Sequence, residues 1–447
     1  MLSTAAMTAS STIYALSTAP GRAAIAVIRV SGPKASNVLH VFTGRTPAAR
    51  QAKMAILRHP QTREPLDQAL ILYFAAPSSE TGEDIAELQI HGGRAVVRAV
   101  LDALALIPGC RPAEAGEFAH RAFINGKLDL TAAEGLADLI DAETEAQRTQ
   151  AITLASGHHA TLYQGWRTRL IECQALIESA IDFSDEGDVS NSAANMATER
   201  ATALNDEIRS HLAGADRGEI IREGFRVVIA GPPNAGKSTL LNALAHRDAA
   251  IVSDEAGTTR DAIEVHLDLA GLPVTVTDTA GIRATSAKVE AEGIRRTYDR
   301  AKSANLIIWL TDIAQSAPVP PDLAQEGTPV LTVANKIDQS SAPSSDRDLG
   351  ISAKDTSGID ALTQEIVSCA QSRIGDTVDL VPTSARQSFH LNQCAEHLQN
   401  YLDHQNHDIE LRAEDFRLAS DSLGRLTGRV DAEDVLDQIF SRFCIGK

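Results

Sequence analysis

Nowhere in its 447 residues does this chain hold 18 apolar residues in succession, which excludes an ordinary membrane-crossing helix. Its first seventeen residues, MLSTAAMTASSTIYALS, contain no lysine or arginine, and the first arginine is Arg22. The basic flank of a secretory leader is therefore missing, and the cytoplasm is the expected location, with no membrane partner. Cysteine is scarce: Cys110, Cys173, Cys369, Cys394 and Cys444 show no paired metal spacing, and an odd number suits a reducing compartment. Positive charge is also in deficit, with a formal net charge of −18. That excludes a chain that grips nucleic acid through its overall field. The deficit is uneven, because residues 1–125 carry 12 Lys and Arg against 9 Asp and Glu, a net +3, and the remainder carries −21. An anionic small ligand is better accommodated in the first part.

Proline is absent from Ala113 to Gly231 and again after Pro382. In the first of these stretches apolar residues fall at helical spacing, at Leu136, Leu139 and Ile140 and then at Leu170, Cys173, Ile177 and Ile181. In the second, Val435, Leu436, Ile439 and Phe440 do the same. Before them, residues 12–120 mix strand-like runs (AAIAVIRVSG, ALILYFAAP, IAELQIHGG) with the helix-like RAVVRAVLDALALI, an α+β pattern. No internal repeat is present. Two helical stretches on either side of an α/β segment predict a multidomain chain in which that segment is inserted into a helical domain. The expected domains are 1–125, 126–217, 218–374 and 375–447.

The α/β segment centres on GPPNAGKST, Gly231 to Thr239, between the apolar run FRVVIA and the helix-like LLNALA. Strand, glycine-rich turn and helix in that order make a phosphate-binding loop. Backbone N–H groups at a positive helix end meet the oxyanion, Lys237 adds a mobile cation, and the Ser238 hydroxyl is a ligand for Mg²⁺. DTAG follows the strand Val274 to Thr277, with Asp278 placed to hold Mg²⁺ through water and the Gly281 N–H free for a γ-phosphate. NKID, Asn335 to Asp338, follows VLTVA, and SAK, Ser352 to Lys354, lies where GTPases back up the base contact. These motifs at strand ends predict a doubly wound sheet and a GTPase.

Two expected catalytic parts are missing. The residue after DTAG is Ile282, which has no polar atom to orient water, and no arginine finger is identifiable. Glu290 and Glu292 in the following RATSAKVEAEGIRR segment are the available acids.

Together NAGKSTLLNALAHRDAAIVSDEAGTTRD, GEDIAELQIHGG, AGEFAHRAFINGKLDLTAAEGLADLIDA and the terminal FCIGK resemble the MnmE (TrmE) family of tRNA-modification GTPases over essentially the whole chain. The resemblance implies an N-terminal tetrahydrofolate-binding and dimerisation domain, a helical domain and an inserted P-loop GTPase domain. It also implies a homodimer and an FAD-dependent partner of the MnmG/GidA family, in a heterotetramer or larger complex. That complex modifies carbon 5 of the wobble uridine of tRNA with a one-carbon unit from a reduced folate, 5,10-methylenetetrahydrofolate, for which 5-formyltetrahydrofolate is an analogue. The alternative is a translation or ribosome-assembly GTPase, which gives no reason for the N-terminal domain or the CIGK tail.

Residue by residue, the resemblance implies GTP contacts from Asn234, Ala235, Gly236, Lys237, Ser238 and Thr239. Further contacts come from Ser253, Asp254, Glu255, Ala256, Gly257, Thr258 and Thr259 in the next loop. Asp278, Thr279, Ala280 and Gly281 follow, and then Asn335, Lys336, Asp338, Ser352, Ala353 and Lys354. Ser238 and Thr259 match Mg²⁺ ligands, and Asn234, Ser253, Glu255 and Thr258 match a K⁺ site that replaces the arginine finger when two GTPase domains pair. Glu290 matches the glutamate that positions the nucleophilic water, so Glu290, Lys237 and Asn234 are the catalytic candidates. Arg29, Glu87, Lys127 and Lys447 match folate contacts, and Cys444 lies in a segment the family brings near that site. Pro232 stands where relatives often carry a basic residue, at a position not expected to touch phosphate.

Overall fold

The computed structural model describes residues 11–182, 187–246, 250–251, 264–278, 303–315, 317–321, 323, 328–339, 349–375, 380–404, 409–430, 436, 439–443 and 445–446. The chain forms two compact units, Met1–Ala137 with Gly424–Lys447, and Asp138–Leu423.

In the first unit the chain runs β1 (Thr12–Leu16), β2 (Ile25–Ser31), α1 (Ala35–Thr43), β3 (Lys53–Arg58), β4 (Pro65–Phe74) and β5 (Ile85–His91). It continues through α2 (Arg94–Ala105), β6 (Cys110–Pro112), α3 (Glu117–Ile124) and α4 (Leu130–Asp141), whose last four residues belong to the second unit. The six strands form one sheet in the order β3-β4-β5-β2-β1-β6, antiparallel except for the parallel β1–β6 pair. Because successive side chains of a strand face opposite ways, β2 divides its residues between two environments. Ala26, Ile28 and Val30 join Val38, Leu39 and Phe42 of α1 and Val100 and Leu104 of α2 in a core. A second, smaller core is formed by Ile13, Ala15, Ala113 and Phe118. Ala115 bridges Ile445 near the chain end, and Ser17 Oγ donates to the Gly446 carbonyl at 2.9 Å.

The second unit begins with α5 (Glu145–Ala155), α6 (His158–Asp182), α7 (Gly187–Leu212) and α8 (Ala215–Glu223). The proline-free stretch is thus largely helical, as its spacing predicts, and Leu170, Cys173 and Ile177 are fully buried. Then come β7 (Phe225–Ala230), α9 (Lys237–Ala245), β8 (Ala250–Ile251), β9 (Glu264–Leu269), β10 (Leu272–Asp278), β11 (Leu306–Asp312), β12 (Val330–Asn335) and β13 (Leu349–Gly350). Three helices follow, α10 (Ile359–Ile374), α11 (Ala385–Asp403) and α12 (Ile409–Thr427), the last of which ends with residues of the first unit. The sheet order is β13-β12-β11-β7-β10-β9-β8. β13 to β10 are parallel and β9 and β8 extend the sheet antiparallel, so the sheet is mixed at one edge. β7 therefore lies between β11 and β10, and the C-terminal ends of the parallel strands β7, β10 and β12 lie at the same edge of the sheet. Its core includes Phe225, Val227 and Ile229 of β7, Leu240, Leu241 and Leu244 of α9, and Leu362 and Ile366 of α10.

The chain enters this sheet through α8 and returns to α11 through residues 380–384. These two crossings touch. A Cβ at Gly218 would lie 2.0 Å from the Pro382 carbonyl oxygen, so only glycine permits the approach. The His159 ring donates from Nε2 to the Val381 carbonyl at 2.9 Å, and Tyr163 Oη lies 3.1 Å from His211 Nε2. α7 and α11 are joined by hydrogen bonds from Asn205 to Gln399 (3.0 Å) and between Thr198 and Tyr401 (3.1 Å).

Candidate functional site

The phosphate loop starts where β7 ends and closes where α9 begins, with Gly236 as the N-cap at φ 97° and Asn234 at φ 61°. A Cβ on Gly236 would lie 2.3 Å from Asn335 Nδ2, so this loop requires glycine both for its backbone angle and for its neighbour. Lys237 Nζ donates to the carbonyls of Gly231 at 2.9 Å and Pro232 at 3.0 Å, folding the ammonium back over the loop. Burial lowers the Lys237 pKa from its ordinary value, and the Asp278 carboxylate opposes that shift. Ser238 Oγ donates to Asp278 Oδ2 at 2.6 Å, and Asp278 is fully buried. The Ser238 hydroxyl in the first turn of α9 and the Asp278 carboxylate at the end of β10 form a hard oxygen pair, which suits Mg²⁺.

The candidate base-binding residues are tied to this loop by one side chain. Asn335 Nδ2 donates to the Ala235 carbonyl at 2.8 Å, while its Oδ1 accepts from the Ala353 N–H at 3.0 Å. Asn335 thus joins the phosphate loop to the SAK loop, with both ends of its buried amide engaged. Ser352 Oγ donates to Asp338 Oδ1 at 2.8 Å, which orients the carboxylate. Lys336, at φ 66°, pairs with Asp312 at 2.8 Å, and this ammonium holds the Asp312 carboxyl below its usual range. The Asp312 partner had no signal in the motifs, because it lies at the end of the neighbouring strand β11. Thr239 lies in the first turn of α9, and Lys354 is exposed in the turn after Ala353.

In the other unit, Arg29 and Glu87 face each other across β2 and β5 and pair at 3.3 Å. The Arg29 guanidinium lies 6.0 Å from the Phe118 ring centroid and makes a second, 2.8 Å ion pair with Glu80, a residue no motif marks. Lys127 is exposed beyond the end of α3, its N–H donating to the Ala122 carbonyl.

Several candidates lie outside the described residues: Ser253, Asp254, Glu255, Ala256, Gly257, Thr258, Thr259, Thr279, Ala280, Gly281, Ile282, Glu290, Glu292, Cys444 and Lys447. Among the described residues, no cluster of three or more His, Cys, Asp and Glu side chains could hold a metal by itself. No helix of the described residues is long and apolar enough to cross a membrane.

Two family models match the chain: the GTP-binding protein TrmE N-terminus over residues 12–127 and the MnmE helical domain over residues 130–444. A protein of Methylorubrum populi named tRNA modification GTPase MnmE is 50% identical over 438 residues, covering 98% of this chain and 98% of its own. One of the same name from Parvibaculum lavamentivorans is 50% identical over 439 residues, covering 98% of this chain and 100% of its own. Among solved structures, a crystal structure of the G domain of the FeoB iron transporter from T. maritima covers 33% of this chain and 98% of its own. At 22% identity and a TM-score of 0.25, that likeness carries no argument about this chain. With about half its residues identical to such relatives along nearly its whole length, the chain belongs to the MnmE family of tRNA modification GTPases.

Proposed function

We propose that this MnmE-family GTPase hydrolyses GTP at the β7–α9 loop and works with an FAD-dependent partner of the MnmG/GidA family. Together they add a carboxymethylaminomethyl or aminomethyl group at carbon 5 of the wobble uridine of certain tRNAs. A bound reduced folate supplies the one-carbon unit. The observation that supports this reading most directly is the hydrogen-bonded link from Ala235 through Asn335 to Ala353. It ties phosphate and base contacts together in a chain of this family.

Lys237 and the N–H groups at the start of α9 hold the β- and γ-phosphates. On binding, the Lys237 ammonium exchanges its two carbonyl acceptors for phosphate oxygens. Ser238, with Thr259, would hold Mg²⁺, with Asp278 placed to support it through water. Bound Mg²⁺ and K⁺ supply fixed positive charge for the oxygens that become more negative as the β–γ bond breaks. Asn234, Ser253, Glu255 and Thr258 would hold the K⁺, in a site that pairing of the GTPase domains of a homodimer would complete. Glu290 orients the attacking water, which Ile282 cannot do. Asp338 accepts from the guanine N1–H and 2-amino groups, with Ser352 fixing its carboxylate.

We assign residues 1–125 to folate binding and dimerisation, 126–217 and 375–447 to the helical domain, and 218–374 to the inserted GTPase domain. Glu87 accepts from the pterin edge, while Arg29, Lys127 and Lys447 serve the glutamate tail. The assigned location is the cytoplasm, where tRNA is the macromolecular substrate. Nucleoside analysis of wobble uridine in cells lacking the gene tests the whole reading. The modified nucleoside should disappear, and an unchanged profile overturns the assignment.

A further inference from the structure

Arg29 is shared by two carboxylates of different character. Its Nη2 meets Glu87 at 3.3 Å and its Nη1 meets Glu80 at 2.8 Å. Arg29 and Glu87 are enclosed, with side chains 16% and 17% exposed, whereas Glu80 is 49% exposed. Among the described residues the Arg29 Nε, sealed from solvent, has no hydrogen-bond partner, and the guanidinium meets these two carboxylates through its terminal nitrogens. Glu87 is fixed by strand register opposite Arg29. Glu80 instead comes from the segment between β4 and β5, and that segment is bolted down immediately beyond it.

Thr81 Oγ1 lies 2.7 Å from Ser31 Oγ, and the Thr81 carbonyl accepts from Asn125 Nδ2 at 2.7 Å. Glu83 accepts from Ser31 Oγ at 2.7 Å and pairs with Arg121 at 3.0 Å. With its neighbours held in this way, Glu80 can leave Arg29 by side-chain rotation alone, without remodelling the loop. The same loop adjoins the other described cation of the candidate folate site, since a Cβ at Gly82 would meet Lys127 Cε at 3.4 Å.

We propose that Glu80 is an internal competitor that occupies, on Arg29, the place of an incoming ligand's carboxylate, and so sets the affinity and charge selectivity of the site. This rests on the reading of Arg29 and Lys127 as part of a reduced-folate site. A neutral ligand gains nothing by displacing Glu80, because the Arg29 ion pair is lost without replacement. An anion restores that pair. Arg29 with its two carboxylates carries a local charge of −1, which repels a single anionic group. A ligand with a second anionic group, met by Lys127, offsets that repulsion. The site therefore selects a glutamate-tailed reduced pterin over a tailless one.

The test compares the full-length protein with Glu80→Gln, and with Glu64→Gln as an exposed charge-matched control in the same unit. Calorimetry uses 5-formyltetrahydrofolate and, as the uncharged pterin, tetrahydrobiopterin. Phenylglyoxal labelling of Arg29, read by peptide mass spectrometry, follows the guanidinium without any ligand. Glu80→Gln should bind 5-formyltetrahydrofolate about two- to fivefold more tightly, the range expected for releasing a partly exposed ion pair. It should leave tetrahydrobiopterin binding unchanged and label faster at Arg29, while Glu64→Gln behaves as the unaltered protein. Equal or weaker folate binding by Glu80→Gln, or an unchanged labelling rate, overturns the proposal. If no protein binds 5-formyltetrahydrofolate, the folate reading itself falls, and the labelling rate alone decides whether Glu80 guards Arg29.

Discussion

A carboxylate that must choose one purine over another works best when it cannot rotate, and Asp338 is held by the Ser352 hydroxyl at 2.8 Å. Asp338→Asn replaces an acceptor with a mixed donor and acceptor, leaving the guanine 2-amino group facing an N–H. GTP affinity should fall by about tenfold to a hundredfold, and xanthosine nucleotides, with an oxygen at that position, should bind in preference. Nucleotide competition measures this, and equal GTP affinity in the variant rules out the contact. His211 makes a different kind of residue-scale case. Burial, and after it the neighbouring His159, push its pKa down to about 4, opposed by a contact with the Leu380 backbone. The folded value thus lies below the unfolded value of about 6.5. Between those two values the unfolded chain binds a proton that the folded chain does not. Stability from this group is therefore full above about pH 6.5 and is lost as pH falls toward 4, by up to about 3 kcal/mol. Denaturant titrations at pH 7.5 and 4.5 should show a smaller acid loss in His211→Gln than in the unaltered protein. Parallel losses would contradict the assignment.

At the scale of elements, Gly218 on α8 and Gly165 on α6 make opposite predictions from the same substitution. Gly218→Ala drives a methyl into the Pro382 carbonyl and should destabilise the protein by about 1–3 kcal/mol. Gly165 has open space around its Cβ position, so Gly165→Ala should stabilise α6 by about 0.5–1 kcal/mol. Chemical denaturation distinguishes them, and shifts of the same sign would show that the crossings are not close-packed. The sequence made some elements legible and not others for physical reasons. FRVVIA, VLTVA and IAELQIHGG were readable because buried strands bounded by turn residues announce themselves locally. The short β1 and β6 were not, since their parallel pairing depends on residues about a hundred positions apart. The phosphate loop was legible as a motif, whereas its tie to the SAK loop through Asn335 was not, because hydrogen bonds between distant loops leave no periodic trace. Glu80 sits in PSSETGED, an ordinary polar loop by composition. Only the register of Arg29 against Glu87 gives it a partner.

For the whole molecule, the missing glutamine, the missing arginine finger and the cation candidates converge on one prediction. GTP turnover should be faster in K⁺ than in Na⁺ by roughly a hundredfold, since the smaller ion cannot span the same oxygen ring. Asn234→Ala should erase that difference while nucleotide still binds through Lys237 and the loop amides. Glu290→Ala should keep K⁺-dependent pairing of GTPase domains around GDP with aluminium fluoride, yet lose turnover. Stopped-flow hydrolysis in each salt and size-resolved pairing measure both halves. Identical rates in the two salts, or full turnover in Glu290→Ala, defeat the mechanism. The contact between Gly218 and Pro382 has a consequence in polymer terms. While the intervening sheet is folded, the two ends of that long segment are held together, and α7 and α11 can pack without the entropic cost of closing it. If the sheet unfolds, the segment becomes a free loop whose closure costs on the order of 4 kcal/mol, a cost that falls on the helices. The stability of the α7–α11 packing is thereby linked to the folding of the sheet, although no residue of the phosphate loop need touch either helix.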